Sequence, residues 1–144
     1  MGNKEAALNA LHKVESEGLR IEMVNALTRH IFIKNGVEAE FGETIGAIRY
    51  CRKVRNQYTH AQWKSEDGRL CFAQIRGYNW EGPQFLNWNT TGLALLREQE
   101  AYFEYTRKYI LGHEWILDHP DLSAEWPQHL PKPKLFIDID PDTD

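Results

Sequence analysis

Long hydrophobic runs are missing from this 144-residue chain. No stretch of about 18 apolar residues occurs, which excludes a membrane-spanning helix. The N-terminus, Met1-Gly2-Asn3-Lys4-Glu5, has no apolar segment of signal-peptide type, and Gly2 has no Ser or Thr at position six to suggest myristoylation. Cysteine is scarce: Cys51 and Cys71 stand twenty residues apart without a CxxC pattern. They are able to pair in principle, but a cytoplasmic protein keeps such thiols reduced, and both are read as small packing residues. Excess positive charge is missing too, with a net charge of −4, so the whole chain does not advertise nucleic-acid binding. There is no Gly-rich phosphate loop, no GxSxG elbow and no zinc-ligand spacing. His113 and His119 bracket Glu114 and Asp118, but a six-residue gap does not match a helical metal pair. Neither a metal nor a cofactor is expected.

What remains is the composition of a single globular domain with large side chains to bury, five of them tryptophan. Residues 3 to 17 are rich in Ala, Leu, Glu and Lys and read as a helix with Leu8, Leu11 and Val14 or Glu15 on one stripe. Gly18 interrupts or caps it. Residues 19 to 34 carry Leu19, Met23, Leu27 and Ile31 at four-residue steps, and Asn35-Gly36 is a helix stop. Residues 38 to 64 form the longest helical candidate, with Phe41, Ile45, Ile48, Cys51 or Arg52, Arg55, Tyr58 and Gln62 on one side. Asp67-Gly68 marks a turn. Alternation from Arg69 onward, with breaks at Gly77, Gly82 and Pro83, predicts a β-hairpin over about 69–88 whose second strand is 84–88. Thr90 or Thr91 then caps a helix over 92–118. Its expected buried side carries Leu93, Leu96, Ala101 or Gln99, Phe103, Thr106, Ile110, Trp115 and Leu117, and His119-Pro120 ends it. Residues 121–144 are expected to form an extended Pro-rich tail, packed in part through Trp126, Leu130 and Phe136, with a disordered acidic end. The expected fold is mainly α, an up-down helical bundle over residues 1–120 with a small β-hairpin insertion.

The stretch that carries chemistry is Arg55-Asn56-Gln57-Tyr58-Thr59-His60. Arginine is a permanent cation whose planar fork suits phosphate, and histidine exchanges a proton near neutral pH. Arg49, Arg52 and Lys53 with Arg55 place four positive charges within seven residues, a local patch on an acidic chain. On a helix, Arg52, Asn56, His60 and Trp63 share one stripe, whereas Arg55 and His60 lie about 140° apart. A symmetric dimer of antiparallel motif helices is one way to bring two arginines and two histidines into one cleft.

These residues resemble the R-x4-6-H motif of the HEPN superfamily, in which the arginine is followed by a polar residue, here Asn56. The resemblance implies a HEPN-like helical bundle that dimerises through its motif helix. It further implies a metal-independent endoribonuclease, of the kind found in toxin–antitoxin and defence systems, acting in the cytoplasm. His60 is then the general acid or base, Arg55 the phosphate holder and Asn56 an orienting group. Arg49, Arg52, Lys53 and Tyr58 contact the RNA substrate, and a cognate antitoxin is a possible partner. The tyrosine that one toxin branch carries two places after the histidine is Gln62 here, so that regulation is not implied. Two other readings stay open: a catalytically silent HEPN-fold dimer that binds a protein or nucleotide, and a helical protein whose Arg–His pair is structural.

Overall fold

A computed structural model describes residues 4–59, 61–74, 86, 88–119, 121 and 129–136. It contains helices α1 (Lys4–Lys13), α2 (Glu17–Lys34), α3 (Glu38–Thr59) and α4 (Leu93–Asp118). A three-stranded antiparallel sheet, β1 (Ala61–Glu66), β2 (Arg69–Gln74) and β3 (Asn89–Thr91), lies between α3 and α4 in the chain, in the order β1-β2-β3. The protein is therefore mainly helical with a small sheet. No helix among the described residues is long and apolar enough to cross a membrane.

Local chemistry sets the joints. The break between the first two helices falls at Val14–Ser16, and Gly18 sits inside the first turn of α2. Ser16 makes the cap: its hydroxyl accepts from the Leu19 N–H at 3.3 Å, satisfying one of the orphan donors of the helix start. At the other end of α2, Gly36 adopts φ +74, the left-handed conformation that glycine enters without a Cβ penalty. The Val37 N–H then donates to the Phe32 carbonyl at 3.0 Å and the Gly36 N–H to Ile33 at 3.1 Å, a Schellman closure. It delivers Val37 into the core beside Phe32, whose ring stacks on Phe41 at 4.2 Å between centroids.

The region after α3 differs from the expected helix through residue 64. The helix ends at Thr59, and residues 61–66 form a strand. Asp67 (φ 50) and Gly68 (φ 72) both take positive φ, the two-residue turn whose twist matches a tight hairpin. Such a turn demands a strand on each side, and Glu66 pairs with Arg69, Trp63 with Phe72 and Ala61 with Gln74. The third strand is Asn89–Thr91, not 84–88; of the latter, only Leu86 and Trp88 belong to the described residues, and neither is in a strand. Thr90 and Thr91 consequently lie in β3, and Gly92 stands at the N-cap of α4 without a side-chain bond.

α3 packs against both α2 and α4. One core cluster joins Phe32, Val37, Phe41, Ile45 and Ile116, and a second joins Ala47, Cys51 and Tyr102 with half-buried Tyr50, Tyr105 and Leu130. The buried face of α4 is Gln99, Tyr102, Thr106, Tyr109 and Ile116, spaced by threes, fours and sevens. Leu93, Phe103, Ile110 and Trp115, expected inside, are exposed by 64, 40, 48 and 43%. The helix is rolled from the orientation its apolar residues suggest, because polar partners wait on the inner side. Cys51 meets Thr106 at 3.3 Å, and the segment 129–136 lies over the same seam. Both cysteines are unpaired and buried. Trp126 and the end of the tail lie outside the described residues; Leu130 packs on the second cluster and Phe136 meets Phe72 edge-on at 5.3 Å.

His113 of α4 faces the rings of Phe32 and Phe41, at 5.0 and 5.8 Å. Burial lowers its pKa from 6.5 to about 4. The unfolded chain therefore binds a proton that the folded chain refuses between those two values. The contribution is complete above pH 6.5 and is lost as pH falls towards 4. Urea unfolding at pH 7 and pH 4.5 should show wild type losing up to about 3 kcal/mol more than His113→Leu over that interval. Equal losses would mean that His113 is not the acid-sensitive group.

Candidate functional site

The C-terminal half of α3 carries the motif. Arg55 is exposed there, Asn56 half-buried on the next face, and Gln57 fully buried. His60 follows the last residue of the helix in sequence and lies outside the described residues. α3 itself stops at Thr59. Trp63 does not continue a helical stripe with Arg52 and Asn56; it belongs to β1.

The expected cationic patch is partly neutralised from within the fold. The Arg55 guanidinium forms an ion pair with the Glu17 carboxylate in the first turn of α2. Arg49 donates two bonds to Glu22 Oε1, from Nε at 3.0 Å and from the terminal nitrogen at 2.6 Å. Both pairs are about half exposed, so each stabilises the fold by no more than about 1 kcal/mol. Arg52 and Lys53 are half-buried on the same helix.

Tyr58 is held firmly. Its hydroxyl donates to Gln99 Oε1 at 2.9 Å, and its ring packs against Trp63 at 5.3 Å and Phe72 at 5.0 Å. The Gln99 amide in turn donates from Nε2 to the Lys134 carbonyl at 3.2 Å. One residue earlier on α3, Gln57 Oε1 accepts from the Phe136 N–H at 3.2 Å. The motif helix is thus tied to α4 and to the 129–136 segment by two buried glutamines.

Beside Arg55 opens a groove of about 520 Å³. Val54, Arg55, Tyr58 and Thr59 of α3, Trp63 of β1, and Leu96, Gln99, Glu100 and Phe103 of α4 line it. Arg55 and Tyr58 are brought together at this groove; Arg49, Arg52, Lys53 and Asn56 are not part of its lining. The sequence pattern does not single out Glu17, Glu100 or Phe103 as site residues. The one signal for Phe103 is its seven-residue spacing from Leu96, which also describes a core stripe. Glu17 pairs with a residue 38 positions away, and nothing local announces that. Among the described residues, no three His, Cys, Asp or Glu side chains converge on a point that would hold a metal.

Compared with family models, curated proteins and solved structures, the chain matches none. The functional reading therefore rests on residues and geometry.

Removing the α2 acid tests how tightly Arg55 is held. Glu17→Gln should cost less than about 1 kcal/mol in a urea melt. A loss above 2 kcal/mol would show the Glu17–Arg55 pair to be a structural tie and not a displaceable contact.

Proposed function

We propose that this protein is a metal-independent endoribonuclease of HEPN type that cleaves RNA by attack of a 2′-hydroxyl on the adjacent phosphorus. The observation that carries the reading is Arg55: an exposed guanidinium near the end of the motif helix, lining a groove, with a histidine five residues on in the sequence. The reaction leaves a 2′,3′-cyclic phosphate and a 5′-hydroxyl. It needs a proton taken from the attacking oxygen, a proton given to the leaving oxygen, and stabilisation of the charge gathering on phosphorus. Arg55 supplies the last by exchanging Glu17 for phosphate, a substitution of one oxyanion for another that suits its fork. His60 is the proton-transfer group and Asn56 the orienting group. Arg49, Arg52 and Lys53 extend a basic track along α3 for the RNA backbone. Tyr58 acts as a fixed wall of the groove, since its hydroxyl is committed to Gln99. Assembly as a homodimer through the motif helix belongs to this reading because it doubles the Arg–His set in one cleft. A toxin–antitoxin or defence role in the cytoplasm, with a cognate antitoxin, is the setting that the motif resemblance suggests.

A second reading has an observation of its own. Arg49 and Arg55 are already paired with Glu22 and Glu17, which suits a catalytically silent HEPN-fold dimer that binds a protein or a nucleotide.

The two readings separate on a mixed RNA pool incubated with purified protein in EDTA. Wild type should cleave and leave cyclic phosphate ends. His60→Ala should lower the rate by about 10² to 10⁴ and Arg55→Ala by about 10² to 10³. Salt-dependent RNA binding without cleavage would select the silent dimer. Equal cleavage by all three proteins would point to a contaminant and remove the nuclease reading.

A further inference from the structure

We propose that the groove beside Arg55 is a nucleotide subsite that seats one unpaired base of the RNA, guanine in preference to the others; this deepens the ribonuclease reading and rests on it. The groove has the volume of a small-ligand site, about 520 Å³ against a usual range of roughly 300–1,000 Å³. Its walls are flat and apolar where a base needs them. Trp63 packs one part of its ring system on Tyr58 and Phe72, at 5.3 and 5.4 Å, yet stays 43% exposed. Phe103, from α4, is 40% exposed and lines the same groove. Single-stranded RNA is read in this way, by stacking splayed bases on aromatic rings held rigid by the protein. Trp63 is rigid because the tight hairpin fixes it opposite Phe72 and Tyr58 is anchored to Gln99.

Charge completes the match to a nucleotide. Arg55 stands at the groove for a phosphate, and its present partner is another exposed oxyanion, that of Glu17. Glu100 also lines the groove, is exposed, and has no hydrogen bond or ion pair among the described residues. A carboxylate accepts hydrogen bonds and gives none. Guanine presents two adjacent donors, N1–H and the N2 amino group, which a carboxylate accepts side by side. Adenine and cytosine each offer one amino group beside a lone pair that repels the carboxylate. Uracil offers a single N–H flanked by two carbonyls. Glu100 is therefore the specificity-determining residue, and the two aromatic rings supply affinity for any base.

The test uses the full chain in equilibrium dialysis against guanosine 5′-monophosphate and uridine 5′-monophosphate. Saturable binding is expected, with the guanine nucleotide held about tenfold tighter. Glu100→Gln should shrink that preference to within about threefold. Phe103→Ala, an exposed change that leaves the core intact, should weaken both nucleotides by about fivefold or more. Trp63→Ala is the second aromatic variant, checked for folding by its melt. No saturable binding, equal affinity for the two nucleotides in wild type, or binding indifferent to Phe103→Ala would each overturn the subsite. Cleavage of the RNA pool is scored separately. Guanine-selective binding without cleavage keeps the subsite and removes the nuclease reading, whereas cleavage without these binding effects keeps the nuclease and removes the subsite.

Discussion

The carboxamide of Gln99 holds three parts of this protein at once. Its oxygen accepts from Tyr58 of the motif helix, its nitrogen donates to the Lys134 carbonyl of the C-terminal segment, and it is itself carried by α4. It is 3% exposed, so an unmet amide here would cost on the order of 1–3 kcal/mol. The structure meets both ends, and in doing so fixes the register of α3 against α4 and of the segment against both. Gln57 of α3 adds a one-sided tie, its Oε1 accepting from the Phe136 N–H while its buried Nε2 has no hydrogen-bond partner among the described residues. Apolar contacts alone slide; a satisfied buried amide admits one alignment.

Much of the rest depends on that alignment. With Gln99, Tyr102, Thr106 and Tyr109 turned inward, Phe103 and Ile110 of α4 are turned outward. The same rotation that pairs Gln99 and Thr106 across the seam therefore supplies the exposed aromatic wall of the groove. The segment at 129–136 closes the seam from outside: Tyr50 donates to the Pro133 carbonyl, Lys132 lies over the Tyr50 ring at 5.4 Å, and Leu130 covers Cys51 and Tyr102. Burial raises the pKa of Tyr50 and pushes that of Tyr102 up to about 12, so burial opposes ionisation of these two phenols. A neutral seam needs no counter-ions, and the charges of α3 are left for its outer faces.

Those outer faces set the electrostatics of the candidate site. Glu17 and Glu22 of α2 lie opposite Arg55 and Arg49 of α3, a ladder of half-exposed pairs across two packed helices. Such pairs contribute little to stability, and their larger consequence is to lower the positive potential beside the motif. A phosphate reaching Arg55 would replace a carboxylate, so the net charge neutralised, and with it the salt dependence of binding, is smaller than the formal charge of the patch suggests.

Local chemistry made part of this readable from the sequence alone: a mainly helical chain, the stop at Asn35-Gly36, the turn at Asp67-Gly68 and the helix leading to His119. Each of these rests on a residue whose backbone or side-chain preference acts over a few positions, as Gly36 and Gly68 show by their positive φ. The strand at 61–66 was not readable, because its pairing partner, β2, is what makes it a strand. The inward face of α4 was not readable either, since apolar periodicity favours Phe103 and Ile110 while the hydrogen bonds that favour Gln99 and Thr106 come from residues 35 to 55 positions away. The same holds for the site. The sequence determined which residues carry charge and proton chemistry; only tertiary contact decided that Arg55 meets Glu17 and shares a groove with Trp63, Glu100 and Phe103, because those neighbours arrive from other elements and no spacing along the chain encodes them.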